Sequence, residues 1–230
     1  MANLTPPHFG PGLFAFFVAL RGNNSREWFQ ENKAWYERDV RDPMLHFISD
    51  LAPRLRELAP EYVADPRPVG GSMFRLHRDT RFSKDKTPYK LAVAAHFRHA
   101  TGKDVHAPGF YLHLGPGEVV GGAGLWQPPP PTLLAVRTAI SEKPEQWAAA
   151  RAGLTLWTGD PTHSPSPILK RVPAGFDPAH PFEADLRRKD FVVMEALSEA
   201  DAVVHDFMDR YVGVIRKTLP LNQFLLKAVM

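Results

Sequence analysis

Between Pro60 and Gly71 the period of the hydrophobic pattern drops from about 3.6 residues to about two, and that change limits the folds open to this chain. Upstream, Leu45, Ile48, Leu51, Leu55 and Leu58 form a stripe at i, i+3 and i+4 spacing, which predicts a helix over 44–58 kinked at Pro53. Phe14, Phe17, Val18 and Arg21 predict a shorter helix closed by Gly22 and Asn23. Trp28, Phe29, Trp35, Tyr36 and Val40 predict another, capped by Asn24 or Ser25. Downstream, Phe74 and Leu76 alternate with Arg75 and His77. Leu91, Val93, Ala95 and Phe97 alternate with Ala92, Ala94, His96 and Arg98, and Phe110, Leu112 and Leu114 alternate with Tyr111 and His113. These read as half-buried strands, with a hairpin over 109–124. Pro128–Pro131 position a helix from Thr132, a further helix near 144–154 buries Trp147, Phe191–Ala196 is a strand, and Ser198 caps a final helix.

The predicted fold is therefore α+β, a largely antiparallel sheet of about five strands in the middle of the chain with helices from the N-terminal and C-terminal regions packed on it. One domain over 1–230 is expected: helical at 12–58, strand-rich at 72–125, mixed helix, loop and strand at 130–197, and a C-terminal helix at 198–219.

The chain has no cysteine, which excludes disulfides, thiolate nucleophiles and thiolate-bound metals. Leu13–Leu20 (LFAFFVAL) is its longest apolar run, short of the roughly 18–20 residues that span a bilayer. With no basic stretch before it and no small-residue cleavage site after it, it reads as a core helix. No membrane association is expected, and the cytoplasm is the expected location. Net charge is +3, but Arg75–Lys90 (RLHRDTRFSKDKTPYK) alone holds three Arg, three Lys and two Asp, which is +4, so the remainder sums to −1. A local patch of this kind speaks to partners.

Standard catalytic motifs are missing: there is no GxxxxGK[ST] loop, GxSxG elbow or HExxH, and Gly121–Gly124 (GGAG) leads into prolines, not a helix N-terminus. No cofactor is expected. His77, His96 and His113 fall on one polar sheet face and make a zinc trio a minor alternative to scattered surface histidines. The basic segment is the stronger signal. Arg75, Arg78 and Arg81 suit bidentate binding of phosphate or carboxylate, and Lys84, Lys86 and Lys90 add point charge. Asp79 and Asp85 can pair with some of these cations. Trp126 is either a pocket wall or packing for the proline run, and Lys170 and Arg171 are a further basic pair that can join the ligand set. The leading reading is a site for an anionic small molecule, with Asp79, Lys84 and Tyr89 as the candidate catalytic groups if chemistry follows. The alternatives are a nucleic-acid-binding module and a structural or protein-interaction domain, the identity of any protein partner being open.

NNSREWFQENKAWYERDV, MFRLHRDTRFSKDKTPYK, PGFYLHLGPGEVVGGAGLW, LKRVPAGFDPAHP and LPLNQFL, in that order from about Phe14 to Leu225, resemble the bacterial and fungal family catalogued as domain of unknown function 2461. The resemblance implies a single domain and supplies no activity. It covers Arg75, Arg78, Asp79, Arg81, Phe82, Lys84, Lys86, Pro88, Tyr89 and Lys90, then Gly122, Gly124 and Trp126, then Lys170 and Arg171. His77 and His96 lie outside its pattern.

Overall fold

The computed structural model describes residues 6–81, 83–100, 107–160, 164–165 and 168–230. Helices α1 (Pro11–Gly22), α2 (Arg26–Glu31), α3 (Lys33–Tyr36) and α4 (Asp42–Leu58) precede strands β1 (Val93–Arg98), β2 (Gly109–Gly115) and β3 (Glu118–Leu125). Then follow α5 (Pro130–Glu142), α6 (Pro144–Ala150), a pair of two-residue strands β4 (Gly159–Asp160) and β5 (Ser164–Pro165), α7 (Glu183–Leu186), β6 (Phe191–Leu197), α8 (Glu199–Ala202) and α9 (Phe207–Val229). The fold is α+β, with an antiparallel sheet in the order β1-β2-β3-β6 and helices at both ends of the chain. Among the described residues no helix is long and apolar enough to cross a membrane.

The main sheet has four strands where the alternation predicted about five. The segment from Met73 to His77 splits its pairing and so never becomes a strand. Met73 bridges Ala95 of β1, whereas His77 bridges Tyr89. The β2–β3 hairpin turns through Pro116-Gly117, and Gly117 has the positive φ of 82° that such a turn demands of one residue.

The chain forms two compact units. The first comprises the chain up to Phe97 together with 111–121 and 195–214. Its helical part is built on aromatic packing: the ring of Phe16 lies within 6.5 Å of Trp28, Phe29, Trp35 and Tyr36. A π-helical turn over Glu37–Arg41 joins α3 to α4. The proline ring of Pro43 crowds the carbonyl four residues back in a regular helix, and the wider turn relieves this. The start expected at Met44 is thus replaced by a helix continuous with what precedes it, and α4 runs unbroken through Pro53. Its stripe of Ile48, Leu51 and Leu55 is fully buried. Ser198 does cap a helix, with a reciprocal bond to Asp201, but α8 lasts only four residues. The long helix restarts at Phe207, which is 1% exposed, close to Phe9 and Phe47.

The second unit comprises 98–110, 122–194 and 215–230. Its core gathers Leu125, Val136, Ile140, Trp147, Leu186, Phe191, Leu221 and Leu225. Trp147 is fully buried and donates its indole N–H to Asp185 at 2.9 Å. Arg151 and Arg188 pair with the same carboxylate, the latter at 3.1 Å. Asp185, itself 2% exposed, is thus a buried charge answered by three donors.

Candidate functional site

The basic segment is a loop pinched at its base. Lys90 N–H donates to the Leu76 carbonyl at 2.9 Å, and Arg78 N–H donates to the Pro88 carbonyl at 2.8 Å. The base is pinned from outside by Asn24. Its amide donates to the Tyr89 carbonyl at 3.0 Å and accepts from the Tyr89 N–H at 3.1 Å. Ser25, not Asn24, caps α2. Both residues suit the one cap by their position in the sequence, and neither by itself announces the clamp. The signal lay in that surplus, since a helix needs one N-cap and the second polar side chain is left to bond elsewhere. The Tyr89 ring is 2% exposed and stacks on Phe29 with centroids 4.4 Å apart. Tyr89 therefore anchors the loop, and burial raises the pKa of its phenol.

Inside the loop, half of the cations serve the loop itself. Arg81 donates to Asp79 at 3.0 and 2.7 Å, Arg78 bonds Asp85 and Thr87, and Lys86 donates to the Thr80 carbonyl at 2.9 Å. Hydrogen bonds from the Arg81 side chain and backbone hold the Asp79 carboxyl at a pKa of about 2. The Thr87 N–H, with Arg78 and the Thr87 hydroxyl, does the same for Asp85. An aspartate held so firmly ionised is a weak base at neutral pH, so the geometry favours an orienting role for Asp79.

Arg75, Lys84 and Lys90 have no carboxylate partner among the described residues. Lys84 is exposed in the loop. Lys90 sets its ammonium 5.3 Å from the Phe74 ring centroid. Desolvation, and then the charge of Arg75, lower its pKa. Phe74 in turn stacks on His96 at 6.3 Å, nearly parallel, and lies 6.3 Å from Tyr111. The Tyr111 hydroxyl is 3.0 Å from His113 Nδ1, and His113 Nε2 is 3.6 Å from Glu118. Burial pushes Tyr111 up to about 12 and lowers His113. His113 is therefore neutral at pH 7, and a donating Tyr111 places its proton on Nε2, towards Glu118. Phe74, His96, Tyr111 and His113 make one aromatic layer, with the Lys90 ammonium set over its Phe74 ring.

The three histidines do not converge. His77 packs its ring against Tyr89 at 5.0 Å, whereas His96 and His113 belong to the layer just described. The split pairing of Met73–His77 is the reason, since it turns His77 away from the course of β1. Among the described residues no group of three or more His, Asp or Glu is placed to hold a metal ion.

Trp126, Lys170 and Arg171 belong to the second unit. Trp126 follows Gly124, whose φ is 129° and where a Cβ would lie 2.0 Å from the Phe191 carbonyl oxygen, so only glycine fits. The Trp126 ring packs on Trp157 at 5.2 Å. Lys170 and Arg171 are exposed just beyond Leu169, whose N–H donates to the Arg187 carbonyl at 2.9 Å. Phe82 lies outside the described residues.

No curated protein and no solved structure matches the chain. A family described as "Conserved hypothetical protein (DUF2461)" matches residues 12–224, a span that takes in the pinched loop, the aromatic layer and Trp126 alike. On that match the chain belongs to the DUF2461 family.

Proposed function

We propose that this protein binds an anionic small molecule, phosphorylated or carboxylated, at Arg75 and Lys90. The observation that carries this is that the charge of Arg75 bears on Lys90, which sits over an aromatic ring, while neither cation forms an ion pair with a carboxylate among the described residues. Like charges held together are unfavourable until an anion answers both, and arginine with lysine is a combination suited to phosphate. The layer of Phe74, His96 and Tyr111 offers a surface for a flat group on the same ligand. The cytoplasm, which retains phosphorylated small molecules, is the compartment this reading implies. A nucleic-acid module draws less support, because Arg78, Arg81 and Lys86 are committed inside the loop.

The test is calorimetric titration with inorganic phosphate, citrate and adenosine monophosphate. Arg75→Ala or Lys90→Ala should each weaken binding at least about tenfold, since a hydrogen bond to a charged group contributes ~1.5–3 kcal/mol. Affinity unchanged in both variants, or strong binding only to mixed DNA and RNA with a steep salt response, would refute the reading.

A further inference from the structure

The second unit holds a buried cation that no carboxylate among the described residues answers. Arg137 lies on the buried side of α5 with Val136 and Ile140, and it is 8% exposed. Its Nη2 donates to the Arg188 carbonyl at 2.8 Å, while its Nε is buried and bonded to nothing among the described residues. Neighbouring arginines are treated differently: Arg151 and Arg188 share Asp185, and Arg187 pairs with Glu183 at 3.0 Å. Desolvation accordingly lowers the pKa of Arg137. A single backbone dipole is poor compensation for a charge taken out of water, and such a group is destabilising unless something else neutralises it.

What surrounds Arg137 is suited to that. The peptide that accepts its hydrogen bond belongs to Arg188, which bridges Ile168 in antiparallel fashion. Two residues further on come Lys170 and Arg171, both exposed and neither with a carboxylate partner among the described residues. Arg188 also donates to the Trp157 carbonyl at 3.0 Å, and the Trp157 ring packs on the half-buried Trp126. After Trp126 comes Gln127, the one described non-glycine residue with a positive φ, at 42°. Its N–H is held by the carboxylate of Asp190 at 2.5 Å, and Asp190 is 1% exposed. A conformation of this kind persists only where its surroundings impose it, and such positions cluster at ligand sites. Here it lies two residues beyond the end of β3, directly after Trp126.

We propose that Arg137 anchors an oxyanion site of the second unit, taking the phosphate or carboxylate of a planar aromatic ligand whose ring packs against Trp126 and Trp157 and whose remaining charge is met by Lys170 and Arg171. Neither Arg75 nor Lys90 is among the residues of this site. Nε is sealed from solvent and one Nη2 hydrogen serves the Arg188 carbonyl, so the remaining N–H donors of the terminal nitrogens meet the oxyanion. The indoles supply the flat apolar surface.

The test uses the full chain carrying Arg75→Ala and Lys90→Ala, so that those two cations contribute nothing, with phenyl phosphate, benzoate and inorganic phosphate as probes. Phenyl phosphate should raise the melting temperature, perturb tryptophan fluorescence, and bind several-fold more tightly than inorganic phosphate. Benzoate in place of phenyl phosphate as the stronger ligand would support the same site with a carboxylate as its natural group. Arg137→Met should abolish these effects while leaving the melting temperature of the free protein equal or higher. A free protein that melts lower with its phenyl phosphate response intact would show Arg137 to be a structural residue and overturn the proposal. If that variant does not fold, Lys170→Ala/Arg171→Ala carries the test: about tenfold weaker binding at unchanged melting temperature supports the site, and unchanged affinity overturns it. Absence of any response to all three probes in the parent overturns it as well.

Discussion

Asn24→Ala probes the basic loop without removing a cation. The substitution deletes both hydrogen bonds to the Tyr89 backbone, at 3.0 and 3.1 Å, and leaves the Ser25 cap of α2 in place. Two such bonds contribute ~2 kcal/mol together, and a Tyr89 N–H left unsatisfied in a half-buried setting raises this towards ~3 kcal/mol. For a chain of this size that is a fall of about 4–12 °C in melting temperature. Urea denaturation followed by circular dichroism measures the stability change. Amide exchange at Tyr89 locates it, with protection falling on the order of a hundredfold if opening becomes easier by ~2.7 kcal/mol. Asn24→Asp keeps the acceptor and loses the donor, so it should fall between the parent and Asn24→Ala. Because Lys90 follows Tyr89 directly, Asn24→Ala should also weaken phosphate binding. A stability change under ~0.5 kcal/mol, with Tyr89 exchange unaltered, would show that the clamp does not hold the loop.

Other substitutions separate the roles of buried polar groups. The Tyr211 ring is fully buried with its hydroxyl unpartnered among the described residues, so Tyr211→Phe should stabilise by ~1 kcal/mol in urea denaturation; a loss of stability would mean that the hydroxyl has a partner. Asp185→Ala strands the Trp147 indole N–H and two arginines and should cost about 3–5 kcal/mol, whereas a change below ~1 kcal/mol would refute the shared-carboxylate reading. Asp79 and Asp85 have folded pKa values of about 2, below the ordinary 3.8, so the unfolded chain takes up their protons first on acidification. Their contribution is complete above the ordinary value and lost as pH falls towards 2, so Asp79→Asn/Asp85→Asn should flatten the stability profile of the parent in that window at low salt.

The local rules carried well wherever one element decides its own form. The alternation in β1 and β2, the Gly117 turn, the buried Trp147 and the Ser198 cap are all written in neighbouring residues. What the sequence hid depends on contacts far along the chain. Nothing near Tyr89 announces that Asn24, 65 positions away, holds its backbone. The alternation at Phe74 and Leu76 is that of a strand, yet two different partners compete for that segment and split it. Charge counting found the basic loop but not which cations it uses internally, because Arg78 with Asp85 and Arg81 with Asp79 are matters of loop conformation. Arg137 is hidden for a related reason. An arginine in an amphipathic helix reads as surface unless the packing of the helix is known.

The wide turn at Glu37–Arg41 bears on how this family can vary in length. An α-helix that loses one residue rotates everything beyond the gap by about 100°, which would swing the Ile48–Leu55 stripe out of the core. A π-turn already contains one residue more than a regular turn needs. With Pro43 replaced, so that its ring no longer crowds a regular helix, shortening the chain by one residue between 37 and 41 would convert that turn to ordinary helix and leave the stripe where it is. The same deletion within 45–55 would not be absorbed. The turn thus gives the helical region of the first unit one point at which a single-residue deletion keeps the buried face in register, upstream of a stretch that has none.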